Sequence, residues 1–181
     1  MTDQIVPDAK DWTWVLQRRC PECGYDATRL DVERVPELVR ENAAVWQEVL
    51  VRPGVDRRPA PDVWSPLEYA CHVRDVFSLF DRRLHLMLSK YDPRFENWDQ
   101  DETAIAERYG DSDRATVASE LDAAAHAVAA SFASVDGSQW ERTGRRSDGA
   151  EFTVDTFARY FLHDLVHHLH DVGASPLTAL T

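Results

Sequence analysis

Hydrophobic residues recur with a helical period in four stretches of the chain. The predicted helices cover about residues 36–50, 65–89, 113–135 and 153–173. Ser65 fits the N-cap of the second helix, with Pro66 at its first position and Glu68 three residues on, a capping-box pattern. Polar and β-branched residues do not alternate over a useful length, so no strand is predicted. Four helices of this length predict an all-α four-helix bundle.

The links between these helices are longer than a simple bundle needs. Residues 90–112 and 136–152 are both polar and contain aromatic or basic side chains. Links of this kind often cross the bundle or line a site. Their candidate substrate contacts are Trp98, Asp99, Arg145 and Arg146. An ordinary charged surface loop is the alternative interpretation of all four residues.

Residues 1–34 lack a sustained period and are predicted to form an irregular N-terminal extension to a bundle at 35–181. The extension contains Cys20-Pro-Glu-Cys23-Gly, which is half of a zinc knuckle and needs two further ligands to close a site. Candidate donors elsewhere are Cys71, His85 and His126. A redox pair and a buried or turn-forming pair are the alternatives. Because the extension must be fixed to the bundle, we expect the two cysteines to have a structural role.

Histidines on two of the helices suggest a metal centre. His163 and His167 are four residues apart and therefore lie on the same face of the fourth helix. If His72 of the second helix lies alongside, three imidazoles converge on one ion and leave room for water or substrate, as in catalytic sites. Asp75, one turn beyond His72, could orient its ring or complete the coordination. The alternatives are a solvated polar face on the fourth helix and a hydrogen-bonded core histidine at position 72.

The pattern Trp-Ser-x-x-Glu-x-x-x-His-Val-x-Asp at 64–75, followed near the C-terminus by a His-x-x-x-His-His helix, resembles the DinB superfamily. The resemblance covers about residues 35–173. It implies a four-helix bundle with one metal ligand from the second helix and two from the fourth. The ligands implied are His72, His163 and His167, with His168 and His170 in supporting or surface positions. This all-histidine set is closer to the YfiT-like branch than to the mycothiol-dependent maleylpyruvate isomerases, which have a Glu where His163 stands.

The resemblance and the ligand type together suggest the chemistry. Imidazole ligands suit zinc, nickel, iron or copper, and we expect zinc first, with nickel or iron as alternatives. Such an ion lowers the pKa of bound water toward ~7 or activates a bound thiol as thiolate. The resemblance implies transfer of a low-molecular-weight thiol, above all mycothiol, to a small electrophile. The alternatives are a hydrolase in which metal-bound hydroxide is the nucleophile, and a metal-binding stress protein without turnover.

Composition limits the partners. The chain has 181 residues, which suits one domain, and its net charge of −12 argues against nucleic acid as the main partner. No apolar run approaches the ~20 residues needed to span a bilayer, and the N-terminus lacks the features of a signal peptide. Three cysteines do not suggest a disulfide framework. We therefore expect a cytoplasmic protein that acts on a small molecule, with a homodimer as one possible assembly.

Overall fold

Four long helices begin and end close to the positions that the hydrophobic pattern predicts. The computed structural model describes residues 11–175 and residue 177. Its α-helices are α1 (Val35–Leu50), α2 (Pro66–Ser89), α3 (Gln100–Ala106), α4 (Arg114–Ala133) and α5 (Val154–Asp171). Helix α3 is a short helix inside the predicted link at 90–112, and Asp99 is its N-cap residue. The other four are the predicted helices.

The helices that carry the histidines have well-defined starts. At α2, Glu68 N donates to Ser65 Oγ at 3.2 Å and Ser65 N donates to Glu68 Oε2 at 2.7 Å, which confirms the predicted capping box. At α5, Thr153 and Thr156 make the same reciprocal pair of bonds. Caps of this kind satisfy backbone N–H groups that have no partner inside the helix. They fix where α2 and α5 begin.

Helices α4 and α5 each pack against both α1 and α2, which confirms the predicted all-α four-helix bundle. Stacked aromatic rings form part of the core: Phe161 lies 4.7 Å from Phe80 and 5.6 Å from Phe132 between ring centroids. Burying each such ring contributes about 1.5–3 kcal/mol. Among the described helices, none combines the length and apolar character that crossing a membrane requires.

A small sheet corrects the prediction that the chain has no strands. Strands β1 (Arg94–Phe95), β2 (Thr143–Arg146) and β3 (Glu151–Thr153) form it, with β1 parallel to β2 and β2 antiparallel to β3. Strands this short cannot show the alternation that identifies a strand in sequence. Gly144 in β2 has no room for a side chain, since a Cβ would meet Met87 Cγ at 2.8 Å. The sheet joins the two long links beside the start of α5.

Residues 11–34 lie against α5. They contain three short 3-10 helices: Trp12–Leu16, Ala27–Arg29 and Val32–Arg34. The Tyr25 hydroxyl donates to the Arg159 carbonyl of α5 at 2.9 Å, and the Arg159 guanidinium donates to the carbonyls of Leu30, at 2.8 Å, and Ala27. These bonds attach the segment to the helix that carries most of the histidines.

Candidate metal centre

Helix α5 presents two pairs of metal-ligating side chains on adjacent faces. His163 and His167 form one pair and Asp164 and His168 the other. Each pair has i,i+4 spacing, so its members lie one above the other. One residue of offset turns a helix by about 100°, so the two pairs point to different neighbours.

Asp164 and His168 meet His72 of α2. The ligand atoms of these three residues all lie within 4.8 Å of one another, and we call them the His72 group. Asp164 Oδ2 is 3.7 Å from His72 Nε2, and Asp164 Oδ1 is 3.5 Å from His168 Nε2. The His72 and His168 rings are perpendicular, with centroids 4.7 Å apart.

Several atoms of the His72 group lack hydrogen bonds. Both ring nitrogens of His72 and Asp164 Oδ2 are buried without a hydrogen-bond partner among the described residues. Leaving such a group unsatisfied costs about 1–3 kcal/mol. A cation bound between His72 Nε2 and Asp164 Oδ2 would satisfy these two atoms, so the residues present fit a divalent metal. The His168 ring is also oriented for metal binding. Its Nδ1 donates to Asp171 Oδ2 at 2.8 Å, and its Nε2 points toward Asp164.

A cation bound to the group would have to replace the proton of His168, because His168 and Asp164 balance each other's charge. Burial alone would raise the pKa of Asp164, but the neighbouring rings of His168 and His72 outweigh it and hold that pKa well below its usual range. Burial works against the charged form of His168 too, yet Asp164 and Asp171 raise its pKa to about 10. Burial lowers the pKa of His72, which keeps its ring neutral, the form that binds metals. In this structure, the charge of His168 therefore balances the buried carboxylate.

His163 and His167 meet the N-terminal segment instead. The ligand atoms of Cys20, Cys23, His163 and His167 all lie within 4.8 Å of one another, and we call these residues the Cys20 group. Cys20 Sγ is 3.8 Å from His167 Nδ1. Burial lowers the pKa of His163 to about 4 and raises the pKa of Cys23 to about 12. All three cysteines of the chain are free thiols.

The predicted triad is thus divided between two groups. Among the described residues, His72, His163 and His167 do not form one set of mutually close donors. The spacing of the ligands can be read from the sequence, but the rotation of α5 about its axis cannot. The Asp164–His168 pair has the same spacing as the His163–His167 pair. The donors around His72 in this structure include a carboxylate and are not all histidines.

Asp75 and His170, which the sequence suggested as supporting or surface residues, have other surroundings than the His72 ring. Asp75 accepts hydrogen bonds from the Tyr109 hydroxyl and from Arg74 Nε, the latter at 2.8 Å, rather than from His72. His170 lies at the surface with its side chain 55% exposed. The donors that the sequence suggested for the cysteines lie elsewhere, hydrogen-bonded to other groups: Cys71 to Tyr109, His85 to Ser131 and His126 to Asp122.

A pocket of about 490 Å³ opens beside both groups. The lining includes His163, Asp164, His167, His168, Trp12, Trp98, Asp99, Arg146, Asp148 and Tyr160. Trp98 stacks on His72, with ring centroids 5.3 Å apart and planes 9° apart. Of the two candidate arginines, Arg146 lines the pocket, whereas Arg145 pairs with Asp92 at 2.5 Å outside it. Successive residues of β2 point to opposite faces of the sheet, which explains the difference.

Comparison with known proteins identifies the fold family. Residues 53–172 match the DinB superfamily, about two thirds of the chain. The chain belongs to the DinB superfamily. The chain is similar to a solved structure of YfiT from Bacillus subtilis. That protein is described as a probable metal-dependent hydrolase with an unusual four-helix bundle topology. The TM-score is 0.68 at 16% identity, over 82% of this chain and 85% of that one. No curated protein matches the chain.

The DinB match includes the whole His72 group and leaves out Cys20 and Cys23. The sequence did contain a signal for Asp164, because Asp164-x-x-x-His168 repeats the spacing of His163-x-x-x-His167. The contact between Cys20 and His167 had no such signal, since 147 residues separate them.

Proposed function

We propose that this DinB protein is a metal-dependent hydrolase that binds one divalent cation between His72, Asp164 and His168. We expect zinc in preference to nickel or iron. The observation that carries the proposal is the pair of unpartnered buried atoms, His72 Nε2 and Asp164 Oδ2, that face each other across 3.7 Å. Two histidines and one carboxylate are also the ligand set of zinc peptidases. The similar fold of YfiT, itself described as a probable metal-dependent hydrolase, supports the same chemistry.

When bound, the cation would supply Lewis acidity, which polarises a carbonyl group and makes bound water more acidic. Trp98 would shield the bound cation on one side, because its ring stacks on the ring of His72. Asp171 would keep the His168 ring in place through the 2.8 Å bond to Nδ1.

Tyr160 is placed to orient a substrate. Its hydroxyl accepts a hydrogen bond from Arg146 Nη1 at 3.3 Å and lies in the wall of the pocket. Burial raises the pKa of Tyr160, so the hydroxyl stays protonated near neutral pH. Its own proton is therefore available for a hydrogen bond to a substrate oxygen.

The charge of the pocket limits the substrate. Among the described residues of its lining, one is an arginine, Arg146, and five are carboxylates: Asp11, Asp99, Asp101, Asp148 and Asp164. Arg146 is paired with Asp148 at 2.8 Å, so its charge is largely compensated. The lining stays acidic even with a divalent cation at Asp164, so it repels anions and attracts cations. We propose that the substrate is a small neutral or cationic ester or amide.

The test uses purified protein loaded separately with zinc, nickel or iron(II). It is assayed on matched neutral, cationic and anionic esters and amides, with and without mycothiol. We expect thiol-independent cleavage of neutral and cationic substrates that His72→Ala and Asp164→Asn abolish. His126→Ala, which changes an exposed histidine of α4, should leave the activity unchanged.

Two other results would contradict the hydrolase. Conjugation of an electrophile that requires mycothiol would favour the thiol transferase that the sequence suggested. Metal-loaded protein without turnover on any substrate, with or without thiol, would favour the non-catalytic metal-binding role. Both alternatives use the same His72 group, so metal content must be measured in every variant.

A further inference from the structure

We propose that Cys20, Cys23, His163 and His167 form a second metal site, closed and structural, that binds zinc and joins the N-terminal segment to α5. None of its four ligands belongs to the His72 group. The inference therefore does not depend on the proposed hydrolase activity.

The distances suit tetrahedral coordination. With metal–nitrogen and metal–sulfur bonds of about 2.0–2.3 Å, ligand atoms of a tetrahedral site lie about 3.3–3.8 Å apart. Cys20 Sγ and His167 Nδ1 are 3.8 Å apart, and all four ligand atoms lie within 4.8 Å of one another. His163 Nε2 is buried without a hydrogen-bond partner among the described residues, so it is free to bind an ion. Small movements would bring these donors to bonding distance.

The turn that carries the cysteines is already folded. Gly24 N donates to the Cys20 carbonyl at 3.0 Å, and Cys20 N donates to the Tyr25 carbonyl at 2.8 Å. Gly24 has φ +76°, a left-handed conformation that favours glycine. The turn holds both thiols toward α5, as a Cys-x-x-Cys half-site requires, and the two histidines of α5 supply the other half.

The surroundings complete the site. His167 Nε2, the nitrogen that points away from Cys20, lies 3.5 Å from Glu22 Oε2 and 3.8 Å from Asp171 Oδ1. Metal-binding histidines commonly direct their second nitrogen to a carboxylate in this way. The Trp12 ring covers the histidines, with centroids 5.3 Å from His163 and 5.0 Å from His167. Four protein ligands under such a cover leave no position for substrate, which distinguishes structural from catalytic zinc.

The second site would also affect the pocket beside the His72 group. Trp12 belongs to the segment that the ion would hold, and it forms part of the wall of the pocket beside the His72 group. The ion would therefore fix one wall of the pocket by joining residues that are 147 positions apart in sequence.

Cobalt substitution tests the second site independently of activity. Cobalt(II)-loaded wild-type protein should show a thiolate-to-cobalt charge-transfer band and the intense visible bands of tetrahedral cobalt. Cys20→Ser combined with Cys23→Ser should lose these bands together with one equivalent of metal. Cys71→Ser, at the buried cysteine of α2, should keep them. His72→Ala combined with Asp164→Ala should keep them too, which separates this site from the His72 group.

Zinc-loaded wild-type protein should also melt several degrees higher than the double serine variant. If that variant does not fold, Cys23→Ser alone, at the half-buried cysteine, should weaken the charge-transfer band. The proposal is overturned if wild-type protein shows no thiolate band, or if the serine variants retain the full band. A Cys20–Cys23 disulfide found by mass spectrometry in freshly purified, metal-free protein would overturn it as well.

Discussion

Asp171 Oδ2 accepts a hydrogen bond from His168 Nδ1 at 2.8 Å, one turn below the position where His168 meets Asp164. This bond fixes the orientation of the His168 ring and leaves Nε2 directed at the His72 group. The other oxygen of Asp171 lies 3.8 Å from His167 Nε2, so one carboxylate supports a histidine of each group.

Asp171→Asn should weaken metal binding at the His72 group by about 10–100-fold, the usual effect of losing such a support. The amide keeps the shape of the side chain but removes the charge that orients His168. Competition with a chromophoric chelator measures the affinity. Asp122→Asn is the matched control, because Asp122 lies 3.5 Å from the exposed His126 on α4. Equal affinities in the Asp171 variant and wild-type protein would show that Asp171 does not support the site.

The acidic lining of the pocket predicts a change of substrate preference. Asp148→Asn should free the charge of Arg146 and raise the activity toward anionic relative to cationic substrates several-fold. Paired measurements of kcat/KM on substrates that differ only in charge test this. Asp92→Asn removes the same charge beside Arg145, which keeps Glu151 at 3.5 Å and does not line the pocket, and should cause no shift. The same shift in both variants would mean that the effect comes from net charge and not from the pocket.

Helix positions could be predicted well from the sequence, and ligand partners could not. The capping residues Ser65 and Glu68 and the apolar stripes act locally, so the helix limits follow from neighbouring residues. The choice between His163 and Asp164 as the partner of His72 depends on the rotation of α5, which packing against α1, α2 and the N-terminal segment determines. The strands were too short for their period to be visible. The approach of Cys20 to His167 is a tertiary contact without any local signal.

The ion pair between Glu68 and Arg58 predicts a pH-dependent contribution to stability. Burial raises the pKa of Glu68, but hydrogen bonds from Arg58 and Ser65 outweigh it and hold the pKa below its ordinary 4.5. A lowered folded-state pKa stabilises the fold above pH 4.5, and the contribution is lost as pH falls through the lower value. Glu68→Gln should therefore melt lower than wild-type protein at pH 7, and the difference should narrow below about pH 4. A difference that stays constant with pH would exclude this ionic contribution.

Phe161 should be among the most costly core positions to truncate. Its ring is fully buried and contacts those of Phe77, Phe80 and Phe132. Phe161→Ala should lower the free energy of unfolding by about 3–5 kcal/mol, measured by urea denaturation. Tyr91→Ala removes a ring that is 97% exposed and should have almost no effect. Similar losses in the two variants would contradict the packing described for the bundle.

The division of the ligands between two groups is tested most directly by anomalous diffraction. Crystals of the purified protein, measured at the absorption edge of the metal it carries, would show where each ion binds. We predict one peak among His72, Asp164 and His168 and a separate peak among Cys20, Cys23, His163 and His167. A single peak held jointly by His72, His163 and His167 would contradict the account.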